Sequence, residues 1–195
     1  ADLSSWECPG GYFCVAGSTT YAGQACAAGA YCGQGATGET PCPGGEYCMG
    51  IGNAAPSGDC LAGYYCAGGA AKPNPTDGTT GAMCPQGHYC PAKSNTPQKC
   101  GIGTYQDKYG ATSANDCAAC PIGYTCTAEA LKEPVDDCPG GVYCTVNDAG
   151  VAVQLPCDPG HYCPDTSYAQ IPCPPGTFTA DTGNEACDYC PAGSY

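Results

Sequence analysis

Twenty-one cysteines are the residues of this 195-residue chain best equipped for chemistry. Thiols can ligate zinc, exchange disulfides, or staple a chain that lacks a core. A zinc site would need clustered pairs of Cys or Cys/His at four-ligand spacing. The only C-x2-C pairs are Cys117/Cys120 and Cys187/Cys190. Thiol exchange of the thioredoxin type places that motif at the start of a helix in a βαβ setting, and neither pair has one. Structural disulfides remain, and at this density they imply an oxidising compartment.

The other candidate groups are few. His88 and His161 stand at equivalent places in a repeat, in a slot that elsewhere holds Tyr, Ala, Glu, Thr, Val or Ser, and a slot so tolerant is expected at the surface. The acids Asp136 and Asp137, and Asp181 with Glu185, carry hard oxygens that suit calcium, yet no loop has the D-x-D-x-D-G ligand spacing; solvated charge is the expectation for them. There is no Ser–His–acid pattern in a recognisable context and no Gly-rich phosphate loop opening a helix. The expectation is a chain that is not an enzyme and has no catalytic residue, metal or cofactor. Eighteen acids stand against five Lys and no Arg, a net charge of −13. Phosphate-neutralising surfaces need clustered cations, so neither nucleic acid nor an anionic membrane surface is an expected partner. No apolar run approaches the length of a membrane span.

The elements that position the cysteines form a repeat. Aligning the Cys-x-x-Gly that opens each recurring copy gives eleven starts: Cys8, Cys26, Cys42, Cys60, Cys84, Cys100, Cys120, Cys138, Cys157, Cys173 and Cys190. Copies such as CPGGEYC (42–48) and CPQGHYC (84–90) are representative. Gly fills slot four in all eleven, which reads as a turn with positive φ. An aromatic fills slot six in ten: Phe13, Tyr31, Tyr47, Tyr65, Tyr89, Tyr105, Tyr143, Tyr162, Phe178 and Tyr195. In the seventh copy the aromatic, Tyr124, moves to slot five. Each ring is expected to lie on the next module, covering its disulfide and glycine backbone in a ladder of small contacts. The layout is thus a lead-in (1–7), ten modules (8–189) and the start of an eleventh (190–195).

Slot seven is a second Cys in most copies. Copies six and ten carry Gln106 and Thr179 there and place the second Cys later, at Cys117 and Cys187. Two cysteines per module suggest one bridge per module: Cys8–Cys14, Cys26–Cys32, Cys42–Cys48, Cys60–Cys66, Cys84–Cys90, Cys100–Cys117, Cys120–Cys126, Cys138–Cys144, Cys157–Cys163 and Cys173–Cys187. A shifted scheme, in which each second Cys bonds the next module's first, stays open; it would force tight rings at 117–120 and 187–190, more usual in redox sites, so the intramodule scheme is preferred. Cys190 is left unpaired, which the repeat explains by truncation of its module; a free thiol or an intermolecular bridge is the alternative.

These bridges stand in for a core. Leu, Ile, Val and Phe together number 16, far below the roughly 20% of core-forming chains. A bridge closing a seven-residue loop stabilises by roughly 2.4 kcal/mol in the chain-entropy model, several-fold less than the cost of ordering about 18 residues. Turns, rings and neighbouring modules must supply the rest. The expected fold is a small disulfide-rich repeat array, elongated, mostly turns, loops and short β-hairpins, with little helix and no conventional hydrophobic core. Residues 67–83 read as a protruding loop, 128–133 as one helical turn before Pro134, and 151–155 as a hairpin partner for Thr145–Val146. No usable N-glycosylation sequon is present, since Pro follows both Asn74 and Asn95-Thr96. Thr19, Thr20, Thr40, Thr79, Thr80 and Thr96 are expected O-glycan acceptors.

The copies C-P-x-G-T-[YF]-x(n)-C-x2-C at Cys100–Cys120 and Cys173–Cys190 resemble the ephrin-receptor-like cysteine-rich repeat, related in look to tumour-necrosis-factor-receptor modules. Long arrays with short C-x5-C copies and Gly/Ala/Thr linkers look like those of flagellar-hair (mastigoneme) and other surface-filament proteins. The resemblance implies a structural subunit of an extracellular filament, stalk or flagellar hair, glycosylated, at the cell surface, with copies of itself or sister filament proteins as partners. A receptor or adhesion ectodomain that binds a protein or glycan is the alternative.

Overall fold

A computed structural model describes residues 7–15, 23–147 and 152–193. Thr19, Thr20 and Tyr195 lie outside them, as do the side chains of Asp136 and Asp137. The chain divides into two units, Ala1–Gln98 with Lys108–Asp116 and Lys99–Asp107 with Cys117–Tyr195.

Each unit is a small disulfide-rich repeat array. The chain enters a module at its first Cys, reverses at the slot-four Gly, and runs through slots five and six as a two-residue strand. That strand pairs antiparallel with the two residues before the next module's first Cys. Tyr12–Phe13 pairs with Gln24–Ala25, Glu46–Tyr47 with Gly58–Asp59, and Thr177–Phe178 with Asp188–Tyr189. Two-residue ladders cannot bury a sheet face. What they do is set each first Cys at a fixed distance from the preceding turn.

The hairpin expected around 145–155 is present and longer, Val142–Val146 against Ala152–Pro156. Its β-branched run is the densest in the chain, which explains why pairing extends here. Two expectations fail. Residues 128–133 form no helical turn, because Ala130 takes a left-handed φ of 60° and Leu131 bridges to Tyr105. The one short helix among the described residues is a 3-10 turn at Ala114–Asp116. Residues 67–83 do not simply protrude: Ala70 and Pro75 are fully buried, and Gly81–Met83 folds back to pair with Tyr64–Cys66. The Asp77 carboxylate closes that loop, accepting from the N–H groups of Thr79 and Thr80 (2.8 and 2.7 Å) and from the Thr80 hydroxyl (2.6 Å). These donors hold its pKa down at about 2.

The core is made of sulfur. Among the described residues the buried apolar side chains are sixteen cysteines, three alanines and Pro75. In the first unit, Tyr47 of one module packs with Tyr64 against the Cys60, Cys66 and Ala70 cluster of the next. No helix among the described residues is long and apolar enough to cross a membrane.

Candidate functional site: the bond lattice between modules

The structure brings each of the ten expected cysteine pairs together. Seven close C-x5-C loops with Cα–Cα distances of 5.8–5.9 Å or, at Cys26–Cys32 and Cys157–Cys163, 6.1 Å; the eighth such loop is Cys8–Cys14 at 5.8 Å. The wider pairs Cys100–Cys117 and Cys173–Cys187 also span 5.8 Å. Neither C-x2-C pair bonds internally. Cys190 is free and half-buried. The fold is therefore that of an oxidising compartment.

Closing each loop aims four backbone groups at the next module. The slot-four Gly N–H donates to the next slot-seven carbonyl: Gly11 to Cys32, Gly29 to Cys48, Gly45 to Cys66 and Gly63 to Cys90, at 2.7–2.9 Å. In the second unit Gly103, Gly141 and Gly160 do the same toward Cys126, Cys163 and Thr179. The carbonyl of the same Gly accepts from the next first Cys, as Cys60 N–H to Gly45 at 2.8 Å. The slot-seven N–H donates into the turn after the next module's second Cys, as Cys48 to Ala70 and Cys66 to Ser94, both 2.9 Å. Finally, the first Cys carbonyl accepts from that same turn, as Lys93 N–H to Cys60 at 2.9 Å.

The donor in this last bond sits in a left-handed conformation each time. Gly35, Gly52, Gly69, Lys93, Gly110, Ala130, Thr166 and Gly183 all have φ between 60° and 80°, and they include every non-Gly residue with positive φ among those described. Sequence reasoning missed this second recurring turn. Its signal, a Gly three or four residues beyond slot seven, is blurred by the one-residue change in spacing and by three substitutions.

The second turn also reaches the module before last. A β-carbon on Gly63 would come within 2.8 Å of the Gly110 carbonyl, and one on Gly11, Gly29, Gly45 or Gly141 would strike the carbonyls of Gly52, Gly69, Lys93 or Gly183. At these five positions slot four is thus glycine for two reasons, a positive φ and a backbone pressed against it from two modules on, whereas at Gly103, Gly160 and Gly176 the positive φ alone acts. Lys93 adds an ion pair across this contact, its Nζ lying 2.8 Å from Glu46 and 3.1 Å from Asp59. The Glu46 and Asp59 carboxylates raise its pKa.

Slot seven is buried in every described module but the first, where Cys14 is half-buried, whichever residue fills it. Gln106 and Thr179 are 6% and 7% exposed. The Thr179 hydroxyl accepts from Gly160 N–H (2.8 Å) and donates to the His161 carbonyl (3.2 Å), taking the sulfur's place with polar bonds. Slot six also faces inward: in the seventh module, where the ring has moved to slot five, Tyr124 is 40% exposed while Thr125 in slot six is buried. The other slot-six rings among the described residues are half-buried, apart from the more exposed Phe178.

His88 and His161 are themselves half-buried rather than on open surface, though their slot ranges from buried Ala30 to exposed Tyr12, and His88 Nδ1 lies 3.0 Å from the Gln86 carbonyl. Among the described residues no three His, Cys, Asp or Glu side chains converge as a metal site would require. Thr40, Thr79 and Thr96 are exposed, whereas Thr80 is half-buried with its hydroxyl committed to Asp77. Compared with known proteins, the chain matches no family model and has no significant match among curated sequences.

Proposed function

We propose that this chain is a stretch of structural array from an extracellular filament, stalk or flagellar hair, in which bridged modules supply rigidity and protease resistance. The observation that carries the reading is the repeated lattice: within each unit modules hand backbone bonds to the next and, at slot-four glycines such as Gly45 and Gly141, meet the backbone of the next but one. Such a unit gains most of its order from its neighbours and lengthens by simple repetition. If chains join head to tail through the same kind of contact, the contact is heterologous and need not close, which produces a filament.

Exposed threonines, Thr40, Thr79 and Thr96 above all, are the proposed O-glycan acceptors. A receptor or adhesion ectodomain would present a single face to a partner and behave as a discrete particle. Electron microscopy of the native material tests the reading. Long fibres with a periodic repeat support it, and monodisperse single molecules overturn it.

A further inference from the structure

We propose that Tyr109, Tyr168 and Tyr189 are sites of oxidative tyrosine–tyrosine cross-linking between copies of this chain, an inference that rests on the filament reading. Among the described residues the slot-five and slot-six tyrosines are at most 40% exposed, Tyr124 being the most open of them, and slot-six rings such as Tyr47 and Tyr89 are half-buried in the array. Tyr109, Tyr168 and Tyr189 lie outside slot six and are 63%, 67% and 87% exposed.

Each of the three stands on backbone that the lattice fixes. Tyr109 precedes left-handed Gly110, whose N–H donates to Cys84. Tyr168 follows Ser167, whose carbonyl accepts from Cys144. Tyr189 pairs with Thr177 and precedes Cys190, whose N–H donates to Gly176. The rings are therefore displayed on rigid supports without packing into them.

Charge gives the reason for a covalent joint. With 18 acids against five Lys, two of which (Lys93 and Lys99) lie beside carboxylates of their own chain, the chain carries a net charge of −13. Like-charged arrays repel. Exposed phenols can still join them, given an oxidant, here hydrogen peroxide used by a haem peroxidase. Each phenol loses one electron and one proton to give a phenoxyl radical. Two radicals couple through the ring carbons ortho to oxygen, and each of those carbons then passes its hydrogen to the phenolic oxygen. Two O–H bonds re-form, one C–C bond is made, two C–H bonds are lost, and the peroxide leaves as two waters. Twenty of the 21 cysteines are in disulfides and do not compete; Cys190, beside Tyr189, keeps its thiol, and a dimer formed through it is reducible, unlike a tyrosine–tyrosine link.

The test treats the disulfide-intact chain with hydrogen peroxide and a haem peroxidase. Expected are dityrosine fluorescence, dimers that survive reduction, linked peptides containing Tyr109, Tyr168 or Tyr189, and a yield that rises with salt as repulsion is screened. Replacing all three by Phe keeps the rings and should abolish the dimer. Links through slot-six tyrosines, or a triple variant that still dimerises, overturn the proposal. In the native material, acid hydrolysis should release dityrosine. Fibres by microscopy with no dityrosine would overturn the cross-link and leave the filament reading standing; single molecules without fibres would overturn that reading instead.

Discussion

The backbone carbonyl of Lys93 occupies the space that a β-carbon on Gly45 would fill, although the two residues belong to modules separated by a whole intervening one. Backbone cannot move aside as a side chain can, so Gly45→Ala meets both the close approach and a φ of 84°. Gly176 has nearly the same φ, 85°, and open space where a β-carbon would go. Gly45→Ala should therefore cost about 2–4 kcal/mol and Gly176→Ala about 1–2 kcal/mol. Amide hydrogen exchange with disulfides intact, read at residue 45 and Cys60 for the first variant and at Cys190, whose N–H donates to the Gly176 carbonyl, for the second, checks this. Equal loss of protection in the two variants would show that only the turn matters.

The second left-handed position gives the opposite sign. Ala130 sits at φ 60° with a β-carbon, a conformation costing roughly 1–2 kcal/mol, while glycine's greater freedom in the unfolded chain costs roughly 0.5–1 kcal/mol. Ala130→Gly is expected to stabilise the second unit slightly, by about 0.5–1 kcal/mol. Lys93→Gly should gain less, because it removes the ion pairs to Glu46 and Asp59, and the difference should shrink in high salt. The Lys93 contribution is fully present below the unfolded Lys pKa and is lost as pH rises through the raised folded value. Denaturant midpoints for the two variants, with and without salt, decide the matter.

How much of this was legible in the sequence follows from which features recur at fixed spacing. The Cys-x-x-Gly start recurs in every copy and the ring holds slot six in all but the seventh, so the modules and the turn at Gly45 could be read directly, and the bridges as the preferred of two schemes. The turn at Lys93 could not, since its distance from slot seven shifts by one and its residue type changes. Its partners are two modules apart, and no local pattern signals them. Pro75 and Ala70 were likewise misjudged: composition marks 67–83 as a loop, but only the tertiary fold shows that it is packed down and closed by Asp77.

Asp77 should titrate far below an ordinary aspartate. Its folded pKa is lowered to about 2, first by the Thr80 hydroxyl and then by the Thr80 and Thr79 amides. A depressed carboxyl contributes stability that is present above its unfolded pKa, near 3.8, and is lost as pH falls through the folded value. Carbon-detected NMR of the Asp77 carboxyl should give a midpoint near 2, and Asp77→Asn should free the 79–81 amides to exchange at neutral pH while leaving distant modules protected. A midpoint near 4 would mean that the loop is not closed by this carboxylate in solution.

Thr179 tests whether slot seven requires a bridge or only a filled, bonded space. Its hydroxyl is buried and joins Gly160 N–H to the His161 carbonyl, while the module's cysteines bond elsewhere. Thr179→Val keeps the shape and removes the oxygen; the His161 carbonyl loses a donor, and Gly160 keeps only its 3.1 Å bond to the Thr179 carbonyl. The expected cost is about 1–2 kcal/mol, and Thr179→Ser should recover most of it. Slowed exchange at Gly160 in the Ser variant and faster exchange in the Val variant is the pattern to find. If Val is as stable as Thr, packing alone holds the position, and the hydroxyl is incidental to the lattice.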